Sequence, residues 1–149
     1  MKSEPEKERS FHRPTGILET VVYCPDLDAA REFYEGVLGL ELVSTEPGRH
    51  HFFRVGSAML LVFNPQETSQ ATVRIGNQMI PRHGGSGASH FAFDLKPSQL
   101  EATRRHLRRH EIDIESEIEW PGGGHSLYCR DPAGNSVEFA TRDLWFRSE

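Results

Sequence analysis

The sequence predicts an α+β fold of two successive βαβββ modules. Their strands form a curved mixed sheet around a cleft, and their helices lie on the outer face. Three observations predict it. Short runs of alternating apolar and polar residues recur along the chain, which is the period of a strand with one buried face. Two longer runs, one in each half, carry apolar residues at helical period. The order strand, helix, three strands occurs twice, on either side of a glycine-rich stretch. That is a repeat of structural order, with little sequence identity between the halves.

The elements follow in order. Residues 1–14, "MKSEPEKERSFHRP", are charged and aperiodic and predict a disordered or loosely packed tail. The remainder, 15–149, reads as a single domain. "GILETVVYC" predicts a strand over Ile17–Cys24. "PDLDAAREFYEGVLGL" predicts a helix from Asp26 or Asp28, with Ala29, Ala30, Phe33, Tyr34, Val37 and Leu38 in one stripe and Gly39 as its stop. "LELVS", "HHFFRVG" and "SAMLLVFN" predict three strands, the last ending at Asn64-Pro65. These make module one, about 16–64. Residues 65–88 are less regular and run into "PRHGGSGAS", which predicts a connector or flexible flap. Module two, about 89–141, begins with the strand "SHFAFDL". "KPSQLEATRRHLRRH" predicts a helix with Leu100, Thr103 and Leu107 inward, and "EIDIESEIEW", "HSLYCRD" and "NSVEFA" predict three strands.

Composition narrows the function. The 149 residues are 36% hydrophobic and 26% charged, with a formal net charge of −5. This describes a globular chain with a polar surface, and neither nucleic acid nor membrane is expected as a partner. The basic run "RRHLRRH" has helical spacing and reads as a solvated helix face, since no stacking platform or nucleic-acid motif accompanies it. No apolar run approaches the ~20 residues of a membrane span, and the N-terminus lacks the apolar core of a signal peptide, so a cytoplasmic protein is expected. Cys24 and Cys129 fall in strand-like runs and read as small buried hydrophobes. No phosphate-cradling glycine loop of the P-loop or dinucleotide type is found, and no nucleophile elbow.

Strand parity then selects the cleft residues. In "SHFAFDL", Phe91 and Phe93 face the helix, and His90, Ala92 and Asp94 face the cleft. In "NSVEFA", Val137 and Phe139 face the helix and Glu138 faces the cleft. In "LETVVYC", Glu19, Val21 and Tyr23 take the cleft side. Two inward carboxylates need something positive between them, either a metal ion or an arginine such as Arg49, Arg54 or Arg130. Tyr128 and Arg130 share a parity that lines the cleft, Tyr128 as a donor to a substrate oxygen and Arg130 as an anion clamp. His50 and His51 are adjacent, so only one of them can face the cleft, and His51 is the candidate substrate contact.

The segments "ETVVYCPDLDAAREFYEGVLGLEL", "SHFAFDL" and "RDPAGNSVEFA" resemble the vicinal oxygen chelate superfamily of glyoxalase I, bleomycin-resistance proteins and extradiol dioxygenases. The resemblance covers about residues 16–141. It implies a metal-binding cleft whose ligands come from the first and last strands of each module. Carried over by position, these are Glu19, a residue near Leu61, His90 and Glu138. Relatives most often have histidine where Glu19 stands, and the last-strand position of module one, Leu61 or Val62, is apolar where glyoxalase I has a carboxylate or similar group. The set that remains, Glu19, His90 and Glu138, suits one divalent ion such as Zn, Ni, Mn, Co or Fe. It leaves positions open for a small oxygen-rich substrate. The resemblance implies a lyase or isomerase in which Glu138 or Glu19 also moves the proton beside a carbonyl. Ring-cleaving oxygenation fits less well, because it uses two histidines and one carboxylate. The alternative from the same superfamily is a metal-free protein of the bleomycin-resistance type that sequesters a small ligand. A homodimer is implied in either case.

Overall fold

The computed structural model describes residues 10–70 and 72–147. Of the expected tail, residues 1–9 lie outside the described residues, and Ser10–Pro14 are exposed and carry no regular element. Module one consists of β1 (Glu19–Tyr23), α1 (Leu27–Arg31), β2 (Glu41–Glu46), β3 (His50–Val55) and β4 (Ala58–Phe63). A connector follows with α2 (Pro65–Gln70), β5 (Val73–Ile75) and β6 (Gln78–Ile80). Module two consists of β7 (His90–Leu95), α3 (Leu100–Arg109), β8 (Ser116–Glu119), β9 (His125–Arg130) and β10 (Ser136–Thr141).

The repeat expected from the sequence is realised in the sheets. One four-stranded sheet has the order β1-β4-β3-β2 and the other β7-β10-β9-β8. The first and last strands of each module pair in parallel, β1 with β4 and β7 with β10. The remaining pairs are antiparallel. Register also fixes which residues correspond. Val21 lies beside Leu61 in module one, and Ala92 beside Glu138 in module two. Leu61 is therefore the counterpart of Glu138.

Local chemistry sets the helix ends. The Asp26 carboxylate accepts from Ala29 N at 3.0 Å and caps α1. The helix continues as a wider π-type turn over Glu32–Val37, closed by Leu38 N on Phe33 O at 3.0 Å. Gly39 ends it with φ 70°, a backbone that favours glycine. Ala30, Phe33 and Tyr34 are buried, as the stripe required.

One core spans both modules. Val22, Cys24, Tyr34 and Phe53 join Leu107, Leu127, Cys129 and Val137 in it. Burying a large apolar side chain of this kind contributes about 1.5–3 kcal/mol. A polar pin crosses the seam. The Asp131 carboxylate accepts from Tyr34 OH at 2.7 Å, Asn135 Nδ2 at 2.8 Å and the Cys24 thiol at 3.4 Å. Its other oxygen accepts from Ala133 N and Asn135 N at 3.0 and 2.9 Å. Every donor a buried carboxylate needs is present. The sheet faces away from this core are the ones left for chemistry.

Three elements differ from expectation. Ile17 and Leu18 stay exposed outside β1. The run Glu111–Trp120 forms a strand only over Ser116–Glu119, because Ile112 and Ile114 pack on the core first and Glu111 turns the chain at φ 57°. The connector is more ordered than its composition suggests. Asn64 Oδ1 accepts from Gln66 N at 3.2 Å to start α2, and Gly76-Asn77 turns the β5–β6 hairpin.

Candidate functional site

Val137 and Phe139 point into the core, so Glu138 between them points to the opposite face of β10. It is nonetheless only 6% exposed. A carboxylate so deeply placed has to be paired. β10 runs between β7 and β9, and each neighbour supplies a partner. Ser126 on β9 donates its hydroxyl to Glu138 Oε2 at 2.6 Å. His90 on β7 brings Nε2 to 3.1 Å from Glu138 Oε1. His90 and Glu138 therefore stand together, as parity required.

The proton inventory of this pair is informative. His90 Nδ1 lies 3.0 Å from the carbonyl oxygen of Ser136. A carbonyl only accepts, so Nδ1 carries the hydrogen. A neutral imidazole then turns the lone pair of Nε2 toward a carboxylate oxygen. Two acceptors at 3.1 Å require a proton or a cation between them. Anchoring Nδ1 on a backbone carbonyl is also how metal-ligating histidines are held in one tautomer. The chemistry of these donors fits a divalent cation. One imidazole and one carboxylate are two ligands, and among the described residues no group of three His, Cys, Asp or Glu is placed to hold a metal ion.

Glu19, the third expected ligand, stands apart from this pair. It is exposed at the start of β1. The far end of that strand is the end near His90, because Asn135 donates to Tyr23 O at 3.2 Å while accepting from Ser89 N at 3.1 Å. Tyr23 lies four residue steps along the strand from Glu19, about 13 Å. A chain's own Glu19 does not join its own His90 and Glu138.

Tyr128 flanks the pair. Its ring stacks on His90 with centroids 6.1 Å apart and planes 25° apart. Burial pushes its phenol pKa up, and the charge of Glu138 adds to this. Arg130 shares this face, but its guanidinium grips Glu115 at 2.6 and 3.0 Å and Gly134 O at 3.1 Å. That bond holds the Glu115 carboxyl below the usual carboxylate range. Expected as an anion clamp, Arg130 is here engaged in a forked, solvent-exposed ion pair.

His51, expected as a substrate contact, is placed on the inner side of its strand. Phe53 is fully buried, so His51, two residues before it, takes the same core-facing side of β3 and lies under α1 near Leu27 and Arg31. His50 is the histidine on the open face. It stacks on Phe52 with centroids 3.7 Å apart and meets Phe63 edge-on at 5.8 Å. Burial lowers the pKa of both imidazoles.

Two features have no counterpart in the sequence reading. One is Ser126, whose only signal was a small polar residue at cleft parity in "HSLYCR". The other is the docking of the connector against this face of module one. His83 Nδ1 meets Tyr23 OH at 2.7 Å, and a Cβ on Gly85 would come within 2.9 Å of the Tyr23 ring. Only glycine lets the strap lie that close.

Comparisons with known proteins agree with this layout. The model of the Glyoxalase/Bleomycin resistance protein/Dioxygenase superfamily matches residues 16–139. An uncharacterized protein of Pseudomonas aeruginosa is 32% identical over 132 residues, covering 83% of this chain and 86% of the relative. The crystal structure of lactoylglutathione lyase from Agrobacterium tumefaciens is 45% identical, covers 89% of this chain and 98% of its own, and matches with a TM-score of 0.82. A glyoxalase/bleomycin resistance protein/dioxygenase from Nocardioides shares the fold at 23% identity and a TM-score of 0.69, over 95% of this chain and 89% of its own. Among the described residues no helix is long and apolar enough to cross a membrane.

Proposed function

We propose that this chain, which belongs to the glyoxalase/bleomycin resistance protein/dioxygenase superfamily, is a divalent-metal-dependent lyase or isomerase of the glyoxalase type. Its substrate would be a small carbonyl or hydroxy compound. The observation that carries this reading is the His90–Glu138 pair, in which Nε2 lies 3.1 Å from a buried carboxylate oxygen with the other ring nitrogen tethered to a backbone carbonyl. The 45% identity to a protein named lactoylglutathione lyase supports the reaction class.

His90 and Glu138 hold the ion, and Glu19 of a second copy completes the set, so the working unit is a homodimer. One imidazole with two carboxylates suits Zn, Ni, Mn, Co or Fe. A bound ion of this kind supplies Lewis-acid polarisation of a substrate carbonyl. The remaining work falls to the chain's own side chains. The Ser136 carbonyl keeps His90 in the tautomer that offers Nε2. Glu138 and Glu19 are the carboxylates available to take and return the proton on the carbon beside that carbonyl. Tyr128 offers its hydroxyl to a substrate oxygen.

The test is turnover of lactoylglutathione, in its formation or its breakdown, by protein loaded in turn with Zn, Ni, Mn, Co and Fe(II). The expected result is metal-dependent turnover that Glu138→Gln abolishes. One observation favours a second reading, a metal-free protein that sequesters a small ligand: Leu61, the counterpart of Glu138, is apolar and buried. A protein that takes up none of these ions and turns nothing over would favour it.

A further inference from the structure

The Glu138 carboxylate is held from behind by groups the chemistry above does not use. Trp120 Nε1 donates to Ser126 Oγ at 2.9 Å, and Ser126 Oγ lies 2.6 Å from Glu138 Oε2. An indole N–H can only donate, and a serine hydroxyl has one hydrogen. The Trp120 bond therefore occupies a lone pair of Ser126. That leaves the hydroxyl hydrogen aimed at Glu138, a short charge-assisted contact. Ser126 is fully buried, so no water competes for this hydrogen. Oε1 is the oxygen on the side of His90.

Trp120 is itself fixed by its loop. Trp120 N donates to Gly124 O at 2.9 Å, and Gly123 N donates to Trp120 O at 2.9 Å. Gly124 sits where a Cβ would come within 2.8 Å of the Leu144 backbone, so the segment after β10 packs flush on this turn. At the next residue His125 N donates to Thr141 Oγ1 at 2.9 Å. The turn that carries the indole is braced by the end of the strand that carries Glu138.

We infer that Ser126 and Trp120 are positioning residues that orient the Glu138 carboxylate, Ser126 by direct donation and Trp120 by fixing which way that hydroxyl points. This rests on the reading of Glu138 as a ligand, but the orientation can be tested without any metal. Removing a partner behind a metal ligand typically weakens metal binding by about 10–100-fold.

The experiment is calorimetric titration of Mn, Ni and Zn ions into wild type, Ser126→Ala, Ser126→Thr and Trp120→Phe, beside crystal structures of metal-free wild type and Ser126→Ala. Circular dichroism confirms that each variant is folded. Ser126→Ala is expected to bind the ions about 10–100-fold more weakly, with Ser126→Thr near wild type and Trp120→Phe between them. In the Ser126→Ala crystal the Glu138 carboxylate is expected to swing off its wild-type orientation or to split. An unchanged affinity and an unchanged carboxylate in Ser126→Ala would overturn the inference. A wild type that binds none of the ions would sink the proposed function instead, and the carboxylate orientation would still decide this inference.

Discussion

Because Glu19 stands about 13 Å along β1 from the end near His90, a site built from Glu19, His90 and Glu138 has to draw on two chains. This makes a prediction that mixing can test. In a Glu19→Ala homodimer every site lacks one carboxylate, and in a Glu138→Ala homodimer every site lacks the other. When the two variants are mixed in equal amounts and exchange subunits, about half the dimers are mixed ones. Each mixed dimer has one site with both carboxylates intact and one with neither, so about a quarter of all sites are whole. The assay is metal content per chain by mass spectrometry, after loading, subunit exchange and desalting. The expected result is near zero for each variant alone and about a quarter of the wild-type content for the mixture. If both carboxylates acted within one chain, the mixture would stay near zero. Full occupancy in Glu19→Ala alone would remove Glu19 from the site altogether.

Further predictions concern the scaffold that presents the site. Tyr34→Phe deletes the buried donor to Asp131 and should cost about 1.5–3 kcal/mol, read as a Tm lower by several degrees; an unchanged Tm would show that the pin is not structural. Burial depresses the pKa of His50 and His51 in the folded protein. The unfolded chain therefore binds the protons first, and the stability of the neutral rings is lost as pH falls below about 6.5. Tm should drop between pH 7.5 and 5.5, less steeply in a His50→Gln/His51→Gln variant, and equal slopes would contradict this. Burial, and then the charge of Asp131, pushes the Cys24 thiol well above its ordinary range and that of Cys129 to about 11. Neither should react with a disulfide reagent at pH 8 until the protein unfolds, and rapid native labelling would be inconsistent with these buried positions.

Strand parity makes part of the site legible in the sequence. In "NSVEFA" and "SHFAFDL" the apolar residues alternate cleanly, so the face of Glu138 and His90 followed from the residues between them. "HHFFRV" offers no such guide, since both its histidines and both its phenylalanines are adjacent pairs. The choice fell to the packing of Phe53, which took His51 inward with it. The hairpin at 73–80 went unread because its strands are three residues each and partly exposed. Ser126 could not be found by pattern at all. Its importance lies in sitting diagonally across β9 from Glu138, and only strand register reveals that. The separation of Glu19 from His90 likewise depends on how β1 and β7 meet, which depends on Asn135 reaching Tyr23 O across the seam.

The most direct test of the central claim is the divalent-ion content of purified wild-type protein, His90→Ala and Glu138→Ala, by elemental mass spectrometry after incubation with Mn, Ni, Zn and Fe(II). About one ion per chain in wild type and none in either variant is the predicted result. No ion in wild type under any of these conditions would contradict the claim that a cation sits between His90 and Glu138.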